Sequence, residues 1–148
     1  MIKEKISRIK GRTFISGAPE GFDAFLLAQL AEKVKTLLFV ARDDVAMVRL
    51  AEGLRFFGSN LEILQFPAWD CLPYDRVSPN GDLVSRRIDT LTRLLTENKD
   101  NRVVVTTVSA LMQRVVPRES FSEKSLSATR GDRLNPETLI RFMDANGY

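Results

Sequence analysis

The feature that most constrains this chain is a regular alternation of short apolar segments with longer segments of helical periodicity. Residues 36–40, 61–66 and 103–107 are short apolar runs typical of strands, and the last is filled with β-branched side chains. A segment of helical periodicity separates each run from the next. Short connections between such elements favour a parallel sheet covered by helices. The predicted fold is therefore α/β, with three layers and a parallel sheet.

Further elements complete this prediction. A first strand is predicted at residues 13–16, and the run at 36–40 is predicted to be buried on both faces of the sheet. Helices are predicted at about 21–33, 44–57, 82–96, 108–114 and 136–146, each bounded by capping residues, glycine or proline. In the first helix, the apolar positions predicted to share one face are Phe22, Phe25, Leu26, Leu30 and Val34.

The turn between the first predicted strand and helix has the order of a phosphate-binding loop. A working P-loop reads G-x-x-x-x-G-K-[ST], in which the second glycine, the lysine and the hydroxyl cradle phosphates and Mg²⁺. Counted from Gly17, these three positions hold Phe22, Asp23 and Ala24. The turn has a second glycine, Gly21, but it lies one residue before the position of the motif's second glycine. An aspartate repels a triphosphate and an alanine offers no oxygen to a metal. The sequence therefore predicts a degenerate P-loop that does not hydrolyse nucleotide, with no cofactor and no catalytic residue.

Two alternatives to this interpretation stay open. An ordinary turn between a strand and a helix can also carry two glycines. A pocket at the carboxyl edge of the sheet can still bind a nucleotide or another phosphate, because open parallel sheets place ligands there and a helix N-terminus offers free N–H groups. The carboxylates of Glu20 and Asp23 oppose an anionic ligand at this place.

Composition excludes several classes of site. The chain has no histidine and one cysteine, Cys71, so Ser-His, Cys-His and multi-thiolate metal sites are excluded within it. The net charge of +3 is too small for a dedicated nucleic-acid binder. No signal peptide and no run of membrane-spanning length is recognisable, and we expect a cytoplasmic protein with no membrane partner.

A proline-rich loop at residues 66–82 is the most unusual stretch of the chain. Its prolines exclude a regular helix or strand, while Trp69, Leu72 and Tyr74 carry apolar surface that requires a partner. We expect an ordered loop that packs over the carboxyl edge of the sheet, as a packing or interaction element.

Three arginines, Arg86, Arg87 and Arg93, are predicted on the polar side of the following helix. They are a candidate basic surface, either as a solvated helix face or as a contact for phosphate, protein or DNA. Weak non-specific DNA binding through them and the basic N-terminus is a secondary alternative, and it would depend steeply on salt.

Composition shifts after Pro117. The segment that follows is polar and rich in serine, with an irregular or edge strand expected near residues 125–129, a turn at Gly131, and a helix that begins at Asn135-Pro136 and buries Leu139, Phe142 and Met143. We expect an α/β domain at residues 1–117 and the start of a second domain, of α+β type, at 118–148, with the chain stopping inside that domain.

Several of these stretches resemble the N-terminal region of the bacterial transcription-repair coupling factors, the Mfd family. The resemblance covers most of the chain from about Gly11 onward, and the loop containing proline, tryptophan and tyrosine is its most specific part. The residues that carry it are 66–75 with Ser78 and Pro79, 105–115 with Pro117, 131–134, and 144–148.

This resemblance implies a part of a larger protein. The family's full-length protein is an ATP-dependent DNA translocase that displaces stalled RNA polymerase, and its motor would lie outside this chain. Its N-terminal module resembles the repair protein UvrB and docks UvrA. The resemblance implies a helicase-type, UvrB-like topology for residues 1–117 and the start of the inserted UvrA-binding domain at 118–148, with the main UvrA contacts beyond Tyr148. The partners implied are UvrA and the rest of the same protein, with RNA polymerase and DNA reached only through the full-length protein.

The resemblance and the residues agree on a module without enzymatic activity. UvrB-type proteins carry an intact P-loop and a long aromatic β-hairpin that engages damaged DNA. Here the P-loop is degenerate, and too few residues separate Tyr74 from Asp82 for such a hairpin. The expected role is a scaffold for recruiting UvrA in transcription-coupled nucleotide excision repair.

Overall fold

A computed structural model describes residues 11–71, 76, 78–96, 100–119, 128 and 130–145. The helices among them are α1 (Phe22–Ala31), α2 (Asp44–Phe57), α3 (Gly81–Thr96), α4 (Val108–Leu111) and α5 (Pro136–Ala145). The strands are β1 (Thr36–Ala41), β2 (Glu62–Phe66) and β3 (Arg102–Thr107). The elements predicted at these places are confirmed. The N-terminal segment 1–10, Leu72, Tyr74 and most of the strand predicted near 125–129 lie outside the described residues.

The strands form a parallel sheet in which β3 lies between β1 and β2. Leu38 of β1 and Leu64 of β2 both stand beside Val104, which fixes the register of the two ladders. All six positions of β3 are buried, as expected of a central parallel strand. The α/β class and the parallel sheet predicted from the sequence are confirmed.

Helices α1 and α2 cover one face of the sheet. The buried core on this side joins Leu50 and Leu54 of α2 to Val103 and Val105 of β3, with Ala28 of α1 packed on it. The buried face of α2 carries Met47, Leu50, Ala51 and Leu54, whereas Phe57 at its end is exposed.

The buried face of α1 differs from the prediction. It carries Leu26 and three alanines, whereas Phe25 and the nearby Val34 are exposed. The reason lies in the distance between the helices. A Cβ built on Gly53 of α2 would stand 2.7 Å from the Cβ of Ala24, so only small side chains fit where α1 and α2 cross.

The other face of the sheet is covered only in part. Helix α3 packs on β2, where the Thr90 hydroxyl donates a hydrogen bond of 2.8 Å to the Gln65 carbonyl oxygen. Strand β1 lies at the edge of the sheet, and its Leu38 is 59% exposed on this side. The prediction that residues 36–40 are buried on both faces was wrong, because no described helix reaches the outer part of this face.

The strand predicted at residues 13–16 is not formed. These residues pair with no strand of the described sheet, and Phe14 is 85% exposed. A run of two apolar side chains, Phe14 and Ile15, buries too little surface to hold an edge strand without a covering layer. Since no strand precedes the Gly17–Gly21 turn, the UvrB-like topology stays a prediction.

The C-terminal helix α5 begins as predicted, with the Asn135 side chain accepting a hydrogen bond of 2.9 Å from the Glu137 N–H. Its Leu139 and Phe142 are half-buried, whereas Met143 is exposed, contrary to the prediction. The division into domains at residue 117 stays a prediction. No helix among the described residues is both long enough and apolar enough to cross a lipid bilayer.

Candidate functional site

The turn at residues 17–24, here called the phosphate-site turn, keeps the backbone of a glycine turn. Gly17 and Gly21 have φ angles of 70° and 81°, in the left-handed region that favours glycine. Gly21 is the N-cap of α1, and no side chain caps the helix from that position. The sequence thus located a real turn before a helix.

Part of the hydrogen-bonding capacity of this helix end is already used within the chain. The Phe22 N–H donates to the Pro19 carbonyl oxygen at 3.2 Å, and the Ala24 N–H donates to Oδ1 of Asp23 at 2.8 Å. Free N–H groups at a helix N-terminus are what binds phosphate. In this turn the Asp23 carboxylate accepts a hydrogen bond from one of the N–H groups that an anionic ligand would use.

Ala24 stands where a working P-loop has its metal-binding hydroxyl, and it faces the protein interior. Ala24 is 1% exposed and lies at the crossing with Gly53 of α2. A threonine here would add two heavy atoms to a contact that already excludes a Cβ on the facing helix. Ala24 is therefore part of the packing between α1 and α2.

A groove of about 740 Å³ opens between this turn and α2. Four carboxylates and two guanidinium groups line it, with Phe56 among its apolar residues; the charged residues are Glu20, Asp23, Asp43, Glu52, Arg42 and Arg49. It follows the C-terminal end of β1, the edge at which parallel sheets place ligands. We call it the acidic groove.

Both arginines of the acidic groove are paired. Arg42 Nε lies 2.9 Å from Asp43 Oδ2, and Arg49 Nη1 lies 3.3 Å from Glu20 Oε1. Asp43 is also the N-cap of α2, since its Oδ1 accepts a hydrogen bond of 2.8 Å from the Ala46 N–H. That bond, followed by the one from Arg42, holds the pKa of the Asp43 carboxyl below its usual value.

A second candidate region lies at the start of the proline-rich loop. The Arg87 guanidinium stands between two aromatic rings, with its carbon 4.1 Å from the centroid of Phe66 and 4.3 Å from that of Trp69. It donates to the Pro67 carbonyl oxygen at 2.6 Å and to the Gln113 side-chain oxygen at 3.3 Å. We call this arrangement the Arg87 clamp.

Gln113 ties the Arg87 clamp to the chain beyond β3. Its side-chain oxygen also accepts a hydrogen bond of 2.9 Å from the Trp69 N–H. The start of the loop is therefore held by α3 on one side and by Gln113 on the other. Trp69 packs on the Arg87 guanidinium, while Leu72 and Tyr74 lie outside the described residues, so the packing or interaction role of the whole loop stays a prediction.

The prediction that Arg87 lies on the polar side of α3 was wrong. It is 3% exposed, and burial lowers the pKa of its guanidinium. The buried side of α3 thus combines Arg87 and Thr90 with half-buried leucines, while Ile88 and Leu94 point outward. The spacing of apolar residues gave no signal for this, because the partners of Arg87 lie 20 and 26 residues away along the chain.

The other two arginines of α3 have separate surroundings. Arg93 binds Asp89 at 2.9 Å and Glu62 at 3.1 Å, and these two hydrogen bonds raise the pKa of its guanidinium. Arg86 is exposed and lies 3.4 Å from the Gln65 side-chain oxygen. The described geometry does not unite Arg86, Arg87 and Arg93 in one basic surface. Among the described residues, no group of three or more acidic, cysteine or histidine side chains is placed to hold a metal ion.

The chain is similar to transcription-repair-coupling factors of several bacteria. The chain is 38% identical to the transcription-repair-coupling factor of Rickettsia prowazekii over 112 residues, which is 76% of this chain and 10% of that protein. It is 31% identical to that of Haemophilus influenzae over 129 residues, 86% of this chain and 11% of the relative. It is 32% identical to that of Escherichia coli over 126 residues, which is 84% of this chain and 11% of the relative. No protein-family model matches the chain. The chain spans about a tenth of the length of these relatives.

Proposed function

The chain is a homologue of the transcription-repair coupling factors over three quarters or more of its length, and we propose that it is a non-catalytic module of such a protein. Its role is to hold the part that docks UvrA during transcription-coupled nucleotide excision repair. In this proposal residues 1–117 are the scaffold and residues 118–148 begin the UvrA-docking domain. RNA polymerase and DNA are engaged by other parts of the larger, cytoplasmic protein.

One observation supports the absence of catalysis more than any other. Ala24, at the position of the metal-binding hydroxyl, is buried against Gly53 of α2. A nucleotide site needs this position to face its ligand. In this chain the same residue serves helix packing, and the neighbouring Asp23 carboxylate occupies one N–H group of the helix end.

Nucleotide or phosphate binding is the second candidate. The location of the acidic groove favours phosphate binding, since the groove lies at the N-terminus of α1 and at the carboxyl edge of the sheet. The charge of the groove opposes phosphate binding, because both guanidinium groups are paired and, among the described residues, no cation pairs with the carboxylates of Asp23 and Glu52. Two full negative charges outweigh the roughly half charge of a helix N-terminus.

A titration with a fluorescent ATP analogue and Mg²⁺ tests the proposal. We expect no binding by the natural chain below about millimolar concentrations, a Kd that corresponds to about 4 kcal/mol. Asp23→Lys restores the P-loop charge and is the informative variant, whereas Ala24→Thr would disturb the crossing of α1 and α2. Asp100→Lys makes the same charge change at an exposed site outside the acidic groove and is the matched control.

Binding of the analogue by the natural chain at micromolar concentration would overturn the non-catalytic reading. The UvrA role has its own test, a pull-down of UvrA by a longer chain that carries this module and the domain that follows it. Capture of UvrA by that chain is expected, and loss of capture when the following domain is deleted would place the contact there. Failure of the longer, folded chain to capture UvrA would contradict the proposed recruitment.

A further inference from the structure

Among the described residues, two carboxylates of the acidic groove have no cationic partner. Arg42 is paired with Asp43 and Arg49 with Glu20. Asp23 and Glu52 line the same groove and are exposed, and within the part of the chain that the structure describes no arginine or lysine pairs with either of them. The described charges that line the groove therefore sum to about −2 at neutral pH.

Exposed aromatic rings adjoin these carboxylates. Phe56 lines the acidic groove and is 83% exposed. Its ring stands 5.0 Å, edge to face, from that of Phe57, which stands 5.6 Å from Phe25, itself 6.4 Å from Phe22. An isolated exposed phenylalanine needs no explanation, but a contiguous row of rings beside a groove is typical of an interaction surface.

We propose that the acidic groove and its aromatic rim bind a basic segment of a partner protein. An arginine or lysine of that segment pairs with Asp23 and Glu52, and a neighbouring apolar side chain, or the guanidinium plane itself, packs on the ring of Phe56. The inference rests on the proposed role as an interaction module and names the chemistry of one partner. The groove beside the phosphate-site turn would thus bind a positively charged protein segment in place of a nucleotide.

Charge complementarity decides between kinds of partner. Nucleic acid, nucleotides and acidic lipid surfaces all present phosphates, which the unpaired carboxylates of Asp23 and Glu52 repel. A basic peptide satisfies both carboxylates and covers Phe56 at once. The cavity of about 740 Å³ is large enough for several side chains.

A fluorescence-anisotropy titration of the whole chain tests this site. The probe is a labelled synthetic peptide of alternating Leu-Arg pairs, and a Leu-Glu peptide of the same length is its control. We expect binding of the Leu-Arg peptide that weakens about tenfold on Glu52→Lys or Asp23→Lys, as for loss of a charge-assisted contact. Phe56→Ala is expected to weaken it about threefold.

Matched variants show whether the effect is local. Asp100→Lys makes the same charge change away from the groove, and Met112→Ala removes an equally exposed side chain, 83%, that does not line it. Both are expected to bind as the natural chain does. Equal weakening by Asp100→Lys would mean a bulk charge effect and would overturn the proposal.

Two further results would also overturn it. One is no binding of the Leu-Arg peptide by the folded natural chain. The other is binding that appears only after residues 1–10 are removed, since it would assign the groove to this chain's own basic N-terminal segment. The ATP-analogue titration reports on the non-catalytic role separately, so the two proposals can fail independently.

Discussion

The phosphate-site turn and the Arg87 clamp are opposite cases of how a sequence relates to a site. The turn follows a recognisable local pattern, yet its chemistry is absent: Ala24 is buried in helix packing and Asp23 occupies its own helix end. The Arg87 clamp follows no local pattern, yet it gathers an arginine, two aromatic rings and Gln113 from separate parts of the chain. A local motif locates a backbone shape, whereas the ligands of a buried charge depend on the tertiary structure.

The energetics of the two regions differ in the same way. A buried guanidinium is costly unless it is paired, and in Arg87 the Nη1 group donates to Pro67 and Gln113 while the guanidinium plane packs on Phe66 and Trp69. The ion pairs of the acidic groove are exposed, with Arg49 and Glu20 side chains 70% and 88% accessible, and such pairs contribute little. Substitutions in the clamp should therefore affect stability more than substitutions in the turn.

The largest expected effect is that of Arg87→Ala. It removes two charge-assisted hydrogen bonds and two cation–π contacts from a buried place, and we expect a loss of about 3 kcal/mol in the free energy of unfolding. Urea denaturation measures the loss. Trp69 is the only tryptophan, so its fluorescence gives a second readout of the clamp and should change in the folded variant.

The control for this variant is Arg86→Ala, one residue away on the exposed side of α3. It should change stability by less than about 0.5 kcal/mol and leave Trp69 fluorescence unchanged. Arg87→Lys keeps the charge but loses the planar fork, and it is expected to recover only part of the stability. Equal effects of Arg86→Ala and Arg87→Ala would remove the distinction between the two regions.

An intermediate effect is expected at the helix crossing beside the phosphate-site turn. Gly53→Ala gains helix propensity, but its Cβ would stand 2.7 Å from that of Ala24. Overpacking should prevail, with a net loss of about 1 kcal/mol in the free energy of unfolding. A double-mutant cycle measured by thermal unfolding tests this. In the background of Ala24→Gly, the substitution Gly53→Ala should lose most of its destabilising effect. Strict additivity of the two substitutions would mean that the crossing has room to relax.

The smallest effect concerns the N-cap of α2. Because its folded pKa is lowered, the Asp43 carboxylate stabilises the fold at pH above its ordinary value of 3.8 and loses that contribution as the pH falls through the folded pKa. Asp43→Asn still caps the helix but does not titrate there. The melting temperature of the natural chain should therefore fall more than that of the variant between about pH 6 and about pH 2. Parallel curves for the two proteins would show that the carboxylate charge adds nothing to the cap.

Most of the described secondary structure followed from the sequence, because its signals are local. The β-branched run at 103–107, the bounds of α2 and the Asn135-Pro136 start of α5 were each predicted from neighbouring residues. The errors concerned burial and pairing: the strand predicted at residues 13–16, the outer face of β1, and the buried faces of α1, α3 and α5. In each case the local pattern gave the residue types, while the actual burial depended on which elements pack against them.

The sequence by itself determined that the chain is α/β with a parallel sheet, that its glycine turn lacks the lysine and the hydroxyl of a phosphate site, and that it resembles coupling factors. Only the tertiary structure decided that Ala24 faces Gly53, that Arg87 is buried between Phe66 and Trp69, and that Phe56 rims an acidic groove. Periodicity and caps act within a few residues of each other. Burial and charge pairing are set by segments tens of residues apart, and their partners exist only once the chain has folded.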